Sequence, residues 1–508
     1  MRDRSMRRAI AIAVFLAGGL CAPCQDTFIS QMDSAQAGFD ANGRSVFACD
    51  SGGYIVFGHQ VMDDGTGLKR CVVYRLNDDG SFMSSYAIGT GEAYSSSYGL
   101  FDPVIRNDAG GYTALVDQYN YYDSSIELFV FDEQGTMTDT LPVLTTVTED
   151  STILGTRQLR RSSDGSFIFC GFVDPPDAYA KALLVKLDST GTIQWQHTYD
   201  APGQSYEAIS VAPYVDGGYV LAGYRLPQGL NGLGFLIRTD SAGNELWRRH
   251  FGNQGGAWCP VRVCADSGIV VLGSYAEPDW PWDWYQLLLV KYDAQGGLVW
   301  QTRCNYFQYV TAYDMEVLPD QSIITSSAYS SLIGLTKFSS AGDSLWCRWL
   351  WAMGTNSFHS AYDVELASDG GFLLTGQVTQ MSAGNPHPGQ ETIFVIKTDS
   401  LGCVVPGCQN VGVQEFTIDL QEHLVVSPNP ASDRVNVLLT LPETGEIEGQ
   451  AQVLLLDATG RTVLEQPMQR NLNQLRTTVE VSALPAGMYY LHLRDAKRWL
   501  AGSKVVVE

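Results

Sequence analysis

Short apolar runs that each end in a polar turn of the form Asp-x-x-Gly recur along this chain. The clearest copies are LLVKLDSTG from Leu183, FLIRTDSAG from Phe235 and LLLVKYDAQG from Leu287. Apolar runs of this length, bounded by glycine turns, predict β-strands. The glycines of the seven copies are spaced 46 to 60 residues apart and are Gly80, Gly135, Gly191, Gly243, Gly296, Gly342 and Gly402. That period predicts a repeated unit of the size of a four-stranded propeller blade.

A second motif lies between these copies and also occurs seven times. It reads DSGGYIVFG from Asp50, VDGGYVLAG from Val215 and SDGGFLLTG from Ser368. Asp-Gly and Gly-Gly supply the positive φ angles of a tight hairpin turn, and the residues that follow are typical of strands. Each unit therefore contains two hairpins. The prediction is an all-β chain in which residues 25–408 form a seven-bladed β-propeller, whose closure protects the sheet edges.

The Asp-x-x-Gly turns resemble two functional motifs of other propellers. Sialidase Asp-boxes have one residue between Asp and Gly, whereas Asp188 and Gly191 enclose two. The tryptophan-docking turns of quinoprotein-type propellers are more similar, because Trp195, Trp247 and Trp300 each follow their glycine by four residues. In that comparison the Trp packs one blade on the next. We therefore expect a structural role, with the Asp bonding the backbone of its own turn.

Composition limits the function classes. A chain of 508 residues exceeds the usual size of one compact core, so two domains are expected. The formal net charge of −23 repels phosphate backbones and anionic lipid, which excludes nucleic-acid binding and charge-driven membrane attachment. Aromatic residues at 11% and 51 glycines fit an all-β protein with many turns.

The first 24 residues have the anatomy of an export signal. A basic stretch ends at Arg8, an apolar run extends from Ala9 to Leu20, and small residues precede Gln25. The run is too short for a transmembrane helix, and no transmembrane segment is expected elsewhere. Residues 1–24 are thus predicted to be a signal peptide.

Export permits disulfides. We expect a bridge between Cys403 and Cys408, which close a short loop. Cys259 with Cys264 and Cys49 with Cys71 are further candidate pairs. A buried thiol is favoured for Cys170, which lies within a strand-like run.

The repeat stops after Cys408, and the sequence changes character. Residues 409–422 are predicted to be a linker. Residues 423–508 contain short alternating runs separated by Pro-Asn-Pro, Asp-Ala-Thr-Gly and Pro-Ala-Gly turns. This pattern predicts an Ig-like β-sandwich.

Four motifs of this segment resemble the type A sorting domain of type IX secretion. They are SPNPASD at Ser427, LLLDATGRTV at Leu454, LPAGMYYLHL at Leu484 and the terminal KVVVE. The resemblance implies passage through the periplasm, recognition by the type IX machinery at the outer membrane of a Gram-negative cell, and covalent attachment of the cargo to surface lipopolysaccharide. The residues that carry the motif are Pro428, Asn429, Pro430, Asp457, Gly460, Gly487, Tyr489 and Lys504.

No catalytic motif is recognisable, because the sequence contains no nucleophile elbow, no His-Glu-x-x-His motif and no paired Cys-x-x-Cys motifs. The ligand spacing of a calcium loop is also missing, and neither a cofactor nor a metal site is expected. One loop has the composition of a glycan-binding surface, in which indole rings stack on sugars and carboxylates bond hydroxyl groups. Its candidate ligand-binding residues are Asp279, Trp280, Trp282, Asp283, Trp284 and Tyr285. In the alternative interpretation, which we favour slightly, the indoles fold back and cap the fifth blade.

Aromatic-acidic pairs recur where the innermost strands are expected to begin. They are Phe101-Asp102, Tyr206-Glu207, Tyr313-Asp314 and Tyr362-Asp363. An acidic rim around a central channel could bind a cation or a polyol. Hydrogen bonding between blades is the favoured interpretation.

The sequence therefore predicts a secreted, surface-attached binding or adhesion module, with extracellular glycans as the expected ligands. A surface glycoside hydrolase or lyase is the second hypothesis, since it would need only two facing carboxylates. A purely structural surface protein is the third.

Overall fold

The computed structural model describes most of the chain. The described residues are 27–32, 40–61, 68–88, 95–98, 102–108, 110–119, 123–147, 153–176, 178–227, 232–252, 259–276, 285–304, 310–350, 352, 357–380, 391–404, 408, 420, 423–441, 449–457, 461–495 and 499–508. They form 37 β-strands and no α-helix, which confirms the all-β prediction. The described residues accordingly contain no helix long and apolar enough to span a membrane.

Seven antiparallel sheets precede residue 404 within the described ranges. Sheet 1 consists of β2 (Ala41–Ala48), β3 (Tyr54–Val61), β4 (Lys69–Leu76) and β5 (Phe82–Ile88). Sheet 2 consists of β6 (Ser95–Tyr98), β7 (Val104–Arg106), β8 (Tyr112–Tyr119), β9 (Asp123–Phe131) and β10 (Met137–Val147), with β6 and β7 both paired to β8. Sheet 3 consists of β11 (Ile153–Arg161), β12 (Phe167–Asp174), β13 (Lys181–Leu187) and β14 (Ile193–Tyr199).

The next four sheets follow the same order. Sheet 4 consists of β15 (Gln204–Pro213), β16 (Tyr219–Pro227), β17 (Leu233–Thr239) and β18 (Glu245–Phe251). Sheet 5 consists of β19 (Val261–Val263), β20 (Ile269–Ala276), β21 (Tyr285–Tyr292) and β22 (Leu298–Cys304). Sheet 6 consists of β23 (Thr311–Val317), β24 (Ile323–Tyr329), β25 (Leu332–Phe338) and β26 (Ser344–Leu350). Sheet 7 consists of β27 (Ser357–Leu366), β28 (Phe372–Gln380), β29 (Glu391–Thr398) and β1 (Phe28–Gln31).

Both sequence motifs form the predicted turns. The second motif joins the first two strands of each four-stranded sheet, and it joins β7 to β8 in sheet 2. The Asp-x-x-Gly motif joins the last two strands of sheets 1 to 6 and follows β29 in sheet 7. In the sheet 3 copy, one oxygen of Asp188 accepts hydrogen bonds from the backbone N–H groups of Thr190 at 2.8 Å and Thr192 at 2.9 Å. Gly191 has a φ of 84°, which a side chain would strain. The turn-forming role that the sequence predicts for Asp188 is therefore confirmed.

The seven sheets contact one another in a closed cycle. Seven apolar clusters each combine residues of two neighbouring sheets, and the last joins sheet 7 to sheet 1. Sheet 7 is completed from the other end of the chain, since β1 pairs antiparallel with β29 from Phe28 opposite Lys397 to Gln31 opposite Phe394. The N-terminal strand thus supplies the outer strand of the last sheet.

Two further sheets lie in the C-terminal segment and share one core. One has the order β30 (Leu424–Ser427), β31 (Arg434–Thr440), β35 (Gln474–Glu480) and β34 (Gln469–Asn471). The other has the order β33 (Thr462–Pro467), β32 (Gln452–Leu456), β36 (Gly487–Arg494) and β37 (Trp499–Val507). Alternate residues such as Val435, Val437 and Leu439 point into the shared core, as period-two patterning requires.

One residue of the predicted linker, Leu420, packs against the C-terminal core. Leu420 donates its N–H to the carbonyl of Leu500 at 3.0 Å, and its side chain is buried in the C-terminal core. The core therefore begins before residue 423.

Cys403 and Cys408 form a disulfide, whereas Cys49, Cys259 and Cys264 are thiols, so the two other candidate bridges are not present. Cys170 is a buried thiol, as expected.

Candidate functional site

A cavity of about 710 Å³ lies where the first strands of the sheets converge. Residues of six of the seven sheets contribute to its wall, including Phe47, Val104, Arg160, Arg262, Glu316 and Glu365. The wall also includes Cys49, Asp50 and Ser368, which belong to the turns after the first strands. The cavity is therefore close to the end of the sheets at which the hairpin turns lie. We call it the axial cavity.

Charged side chains dominate the axial cavity. Arg262 is 8% exposed and donates to Glu316 at 2.9 Å and to Asp314 at 3.1 Å. Its guanidinium also lies 3.6 Å from Asp102, which is paired with Arg160. Burial lowers the pKa of Arg262, but the carboxylates of Glu316, Asp314 and Asp102 outweigh burial and raise it overall. Arg262 therefore stays cationic and holds carboxylates of two sheets together.

Two carboxyl groups on β27 have no arginine partner among the described residues. Asp363 is 0% exposed, and its Oδ2 accepts a hydrogen bond from the Val46 N–H at 2.8 Å. Its Oδ1 is buried without a hydrogen-bond partner within the described part of the chain. Glu365 lies two residues later on the same face of the strand and lines the cavity.

Asp102, Asp363 and Glu365 form a compact group. One oxygen of each carboxyl lies within 4.8 Å of an oxygen of the other two. Burial, and then the charge of Asp102, raise the pKa of Asp363 well above its usual range. Burial, and then Glu316, do the same for Glu365. The pKa of Asp314 is raised to about 6, chiefly by burial. The axial cavity thus brings together carboxyl groups whose ionisation is opposed by burial and by one another.

Polar side chains near the axis also join neighbouring sheets. At five interfaces, a side-chain oxygen of one sheet accepts a backbone N–H from the next. The pairs are Asp117 with Thr156, Gln158 with Val211, Ser210 with Val261, Asp314 with Val364, and Asp363 with Val46. Glu207 forms an ion pair with Arg157 of sheet 3 at 3.0 Å. The interpretation of the acidic positions as inter-sheet contacts is therefore confirmed for Glu207, Asp314 and Asp363.

The constant spacing between glycine and tryptophan in the repeats also has a structural basis. A Cβ atom added to Gly243 would lie 2.9 Å from the Trp195 ring of the preceding sheet. Trp300 lies in the same way against Gly342, and Trp346 lies against Gly402. Trp247 instead donates its indole N–H to the Ala294 carbonyl of sheet 5 at 3.1 Å. These rings pack one sheet on the next, as the sequence predicts.

The predicted glycan loop lies outside the described residues. This applies to Asp279, Trp280, Trp282, Asp283 and Trp284. Only the backbone of Tyr285 is described, where it begins β21 opposite Ala276. The structure therefore leaves the binding role of this loop as a prediction.

Several residues of the sorting motif make defined contacts. Asn429 donates to the Lys504 carbonyl at 2.7 Å and accepts from the Val506 N–H at 2.9 Å, so it clamps the turn containing Pro428 and Pro430 onto β37. Asp457 accepts the Arg461 N–H at 3.1 Å. Tyr489 is buried and donates its hydroxyl to the Pro485 carbonyl at 2.8 Å.

Two further motif residues, Gly487 and Lys504, face open space with their Cβ position or side chain. Nothing lies within 4 Å of the position that a Cβ atom of Gly487 would take. The Lys504 side chain is exposed, and Gly460 is outside the described residues. Contacts of the motif within its own domain therefore centre on Asn429.

The comparison with protein families identifies this segment. Residues 425–508 match the model of the secretion system C-terminal sorting domain. The segment is a type IX sorting domain. The chain is therefore exported to the cell surface or secreted by a Gram-negative bacterium of the Bacteroidetes type, and its sorting domain interacts with the type IX machinery. No curated protein matches the sequence.

Solved structures resemble the chain at low sequence identity. A Dyadobacter fermentans DSM 18053 protein of unknown function is 13% identical with a TM-score of 0.42, over 61% of this chain and 96% of that chain. YCF48 bound to D1 peptide is 9% identical with a TM-score of 0.41, over 74% and 96% of the two chains. The polysaccharide lyase Uly1 is 8% identical with a TM-score of 0.44, over 70% and 90%. Similarities at this level assign no activity.

Proposed function

We propose that the chain is a cell-surface binding module in which residues 25–408 form a closed seven-bladed β-propeller. In this proposal residues 1–24 are a cleaved signal peptide, residues 409–422 are a linker, and residues 423–508 form an Ig-like sandwich. The ligands are extracellular glycans, and surface lipopolysaccharide is the attachment point. The observation that carries the proposal is the axial cavity, because walls from six sheets meet only if the sheets surround one axis.

The proposed ligand face is the end of the sheets opposite the hairpin turns. Within each antiparallel sheet, the connection between the second and third strands leaves at that end. Residues 277–284 form such a connection, because they join β20 to β21. At the turn end, by contrast, Asp188, Asp240 and Asp293 are occupied by N–H groups of their own turns. These three turn carboxylates are therefore used for structure.

A glycan array probed with the full chain tests this assignment. We expect binding that the Trp282→Ala, Trp284→Ala double variant weakens at least roughly tenfold, since each stacked ring contributes about 0.5 to 1.5 kcal/mol beyond area burial. The melting temperature of that variant should stay within about 2 °C of the parent. Analysis of the bound glycan for cleavage products distinguishes a lectin from a hydrolase or lyase.

Trp300→Ala is the matched control. This indole packs between sheets 5 and 6, so its loss should lower the melting temperature and leave glycan affinity unchanged. The opposite pattern, in which the double variant melts early and binds normally, would show that the loop belongs to the core.

Deletion of residues 424–508 tests the division of labour between the two parts. The shortened chain should remain folded in the periplasm, because the apolar clusters of the seven sheets contain no residue of the C-terminal segment. Surface exposure and any lipopolysaccharide conjugate should disappear. Unchanged exposure would contradict the proposed attachment route.

A further inference from the structure

Three carboxyl groups converge beside the axial cavity from sheets that are not neighbours. Asp102 belongs to sheet 2, whereas Asp363 and Glu365 belong to sheet 7, and sheet 1 lies between them. Their oxygens lie within 4.8 Å of one another. Like charges at this distance in a buried site repel one another strongly, so the group needs a neutralising partner.

The three arginines that line the cavity do not supply enough positive charge. Arg106 pairs with Asp50, Arg160 pairs with Asp102, and Arg262 is shared among Asp314, Glu316 and Asp102. With Asp363 and Glu365, six carboxyl groups therefore face three guanidinium groups. None of the three arginines forms an ion pair with Asp363 or Glu365 within the described residues. The deficit of positive charge is located on β27.

A second observation points to a ligand at the same place. Asp363 is fully buried, and only its Oδ2 is satisfied, by the Val46 N–H. Its Oδ1 has no hydrogen-bond partner in the described part of the chain. A buried acceptor without a donor costs about 1 to 3 kcal/mol. No hydrogen bond from a neighbouring carboxyl group reaches this oxygen within the described residues.

We propose that Asp102, Asp363 and Glu365 bind one calcium ion, which is reached through the axial cavity. The ligands are all hard oxygen donors, which excludes the nitrogen and sulfur preference of zinc. Oxygens on opposite sides of a calcium ion stand about 4.6 to 5.2 Å apart, twice the usual Ca–O distance. Magnesium requires a near-ideal octahedron and keeps several of its waters, which rigid strands of two sheets do not readily accommodate.

The ion would join sheet 2 to sheet 7 across sheet 1. It would also give Asp363 Oδ1 its missing partner, while Asp102 keeps its other lone pairs for Arg160. This site is independent of the proposed glycan loop, which lies in a connection at the opposite end of the sheets. Failure of one proposal leaves the other standing.

The experiment uses the full chain stripped with a chelator, with calcium chloride as the probe. Titration calorimetry should give one bound ion per chain, and thermal melting should rise with calcium at constant ionic strength. Glu365→Gln and Asp363→Asn should each weaken calcium binding by about tenfold or more, because affinity in oxygen sites follows ligand charge. Magnesium at equal concentration should have a much smaller effect.

Glu316→Gln is the matched control, because Glu316 lines the same cavity and is already paired with Arg262. It should change calcium affinity by less than about threefold. If Glu316→Gln lowered calcium affinity as much as Glu365→Gln does, binding would depend only on the overall negative charge of the cavity, and the assignment of the ligands would be overturned.

The decisive result is whether Glu365→Gln raises or lowers the melting temperature relative to the parent, without and with calcium. Without calcium, Glu365→Gln should melt at the same temperature as the parent or higher, because it removes repulsion among buried carboxylates. With calcium, it should melt at a lower temperature than the parent. A variant that is less stable by the same amount in both conditions, or a parent chain that gives neither binding heat nor a melting shift with millimolar calcium, would overturn the proposal.

Discussion

Neighbouring sheets meet in two regions, and the two regions are built differently. At the outer end of each interface, the turn glycine of one sheet lies against a side chain of the sheet before it. The seven pairs among the described residues are Phe28 with Gly80, Ile55 with Gly135, Leu141 with Gly191, Trp195 with Gly243, Arg249 with Gly296, Trp300 with Gly342 and Trp346 with Gly402. At the axis, by contrast, the residues that join neighbouring sheets differ from one interface to the next.

This difference separates what the repeat needs from what the individual chain adds. Six of the seven outer contacts are made by apolar or aromatic side chains, and at the seventh Arg249 donates to the Gly296 carbonyl at 2.7 Å, so one arrangement serves every interface. The axial contacts bury charge, which is favourable only when each charge is paired. At the axis, sheets 2, 6 and 7 bring together Asp102, Glu316 and Glu365. The outer contacts therefore explain the repeat, and the axial contacts contain the candidate chemistry.

The largest effect should come from opening the cycle. Removal of residues 27–32 takes away β1, whose Phe28 ring lies against Gly80 and whose backbone pairs with β29. The outer edge of sheet 7 would then be exposed, and exposed edges promote aggregation. We expect loss of the cooperative melting transition of the seven sheets.

Adding back the missing strand provides the control. A synthetic peptide of residues 27–32 should restore part of the melting transition by strand addition. A truncated chain that melts cooperatively at the parent temperature would show that the contacts of sheet 7 with sheet 1 do not depend on β1.

A smaller loss is expected from unbalancing the axis. Arg262→Met should destabilise the chain by about 3 to 5 kcal/mol, because it leaves buried Asp314 and partly exposed Glu316 without their cation. Chemical denaturation provides the measurement. Asp108→Asn is the control, because Asp108 is exposed and pairs with Arg161 at the surface. Exposed ion pairs of this kind contribute about 0 to 1 kcal/mol. Combining Arg262→Met with Glu316→Gln should recover part of the loss.

The outer region could be predicted from sequence because its rules are local. Asp188 and Gly191 lie in one turn, and the spacing from Gly191 to Trp195 is fixed within one hairpin. Closure through β1 could not be predicted, because Phe28 pairs with Lys397 at the far end of the repeat region. No periodicity within a repeat specifies such a pairing.

The axial group could be predicted in part. The aromatic-acidic pattern identified Asp102, Asp314 and Asp363, but the glutamates two positions after the last two were missed. Glu316 and Glu365 follow by the strand period of two and therefore face the same way, which was a usable signal. Arg160 and Arg262 were missed because their carboxylate partners lie on other sheets, and no pattern within one repeat specifies such contacts. The absence of calcium-loop spacing was uninformative, since the proposed ligands lie on separate sheets.

The packing of the outer region can be tested with two glycines that share one backbone conformation. Gly243 has a φ of 84°, and an added Cβ would lie 2.5 Å from the His197 ring. Gly165 has a φ of 79° with nothing within 4 Å. Gly165→Ala should cost about 1 to 2 kcal/mol from backbone strain alone, and Gly243→Ala about 2 to 4 kcal/mol. Equal losses in thermal melting would show that the contact with sheet 3 contributes nothing.

The smallest effect concerns a buried base on β27, the strand that carries Asp363 and Glu365. His359 is 5% exposed, and neither ring nitrogen has a hydrogen-bond partner among the described residues. Burial lowers the pKa of His359 to about 4. The unfolded chain binds the proton more readily, so this residue makes stability fall as the pH drops from about 6.5 towards 4.

His359→Leu removes the titrating group and keeps an apolar side chain in its place. Between pH 8 and pH 5 the parent should lose about 2 kcal/mol more than the variant, as linkage for one histidine gives. Melting curves of both proteins across this range provide the measurement, and their difference cancels the contributions of all other groups. Parallel curves would mean that the imidazole is protonated equally in both states. In that case β27 would contain a charged histidine four residues before Asp363, and the strand would no longer be purely acidic.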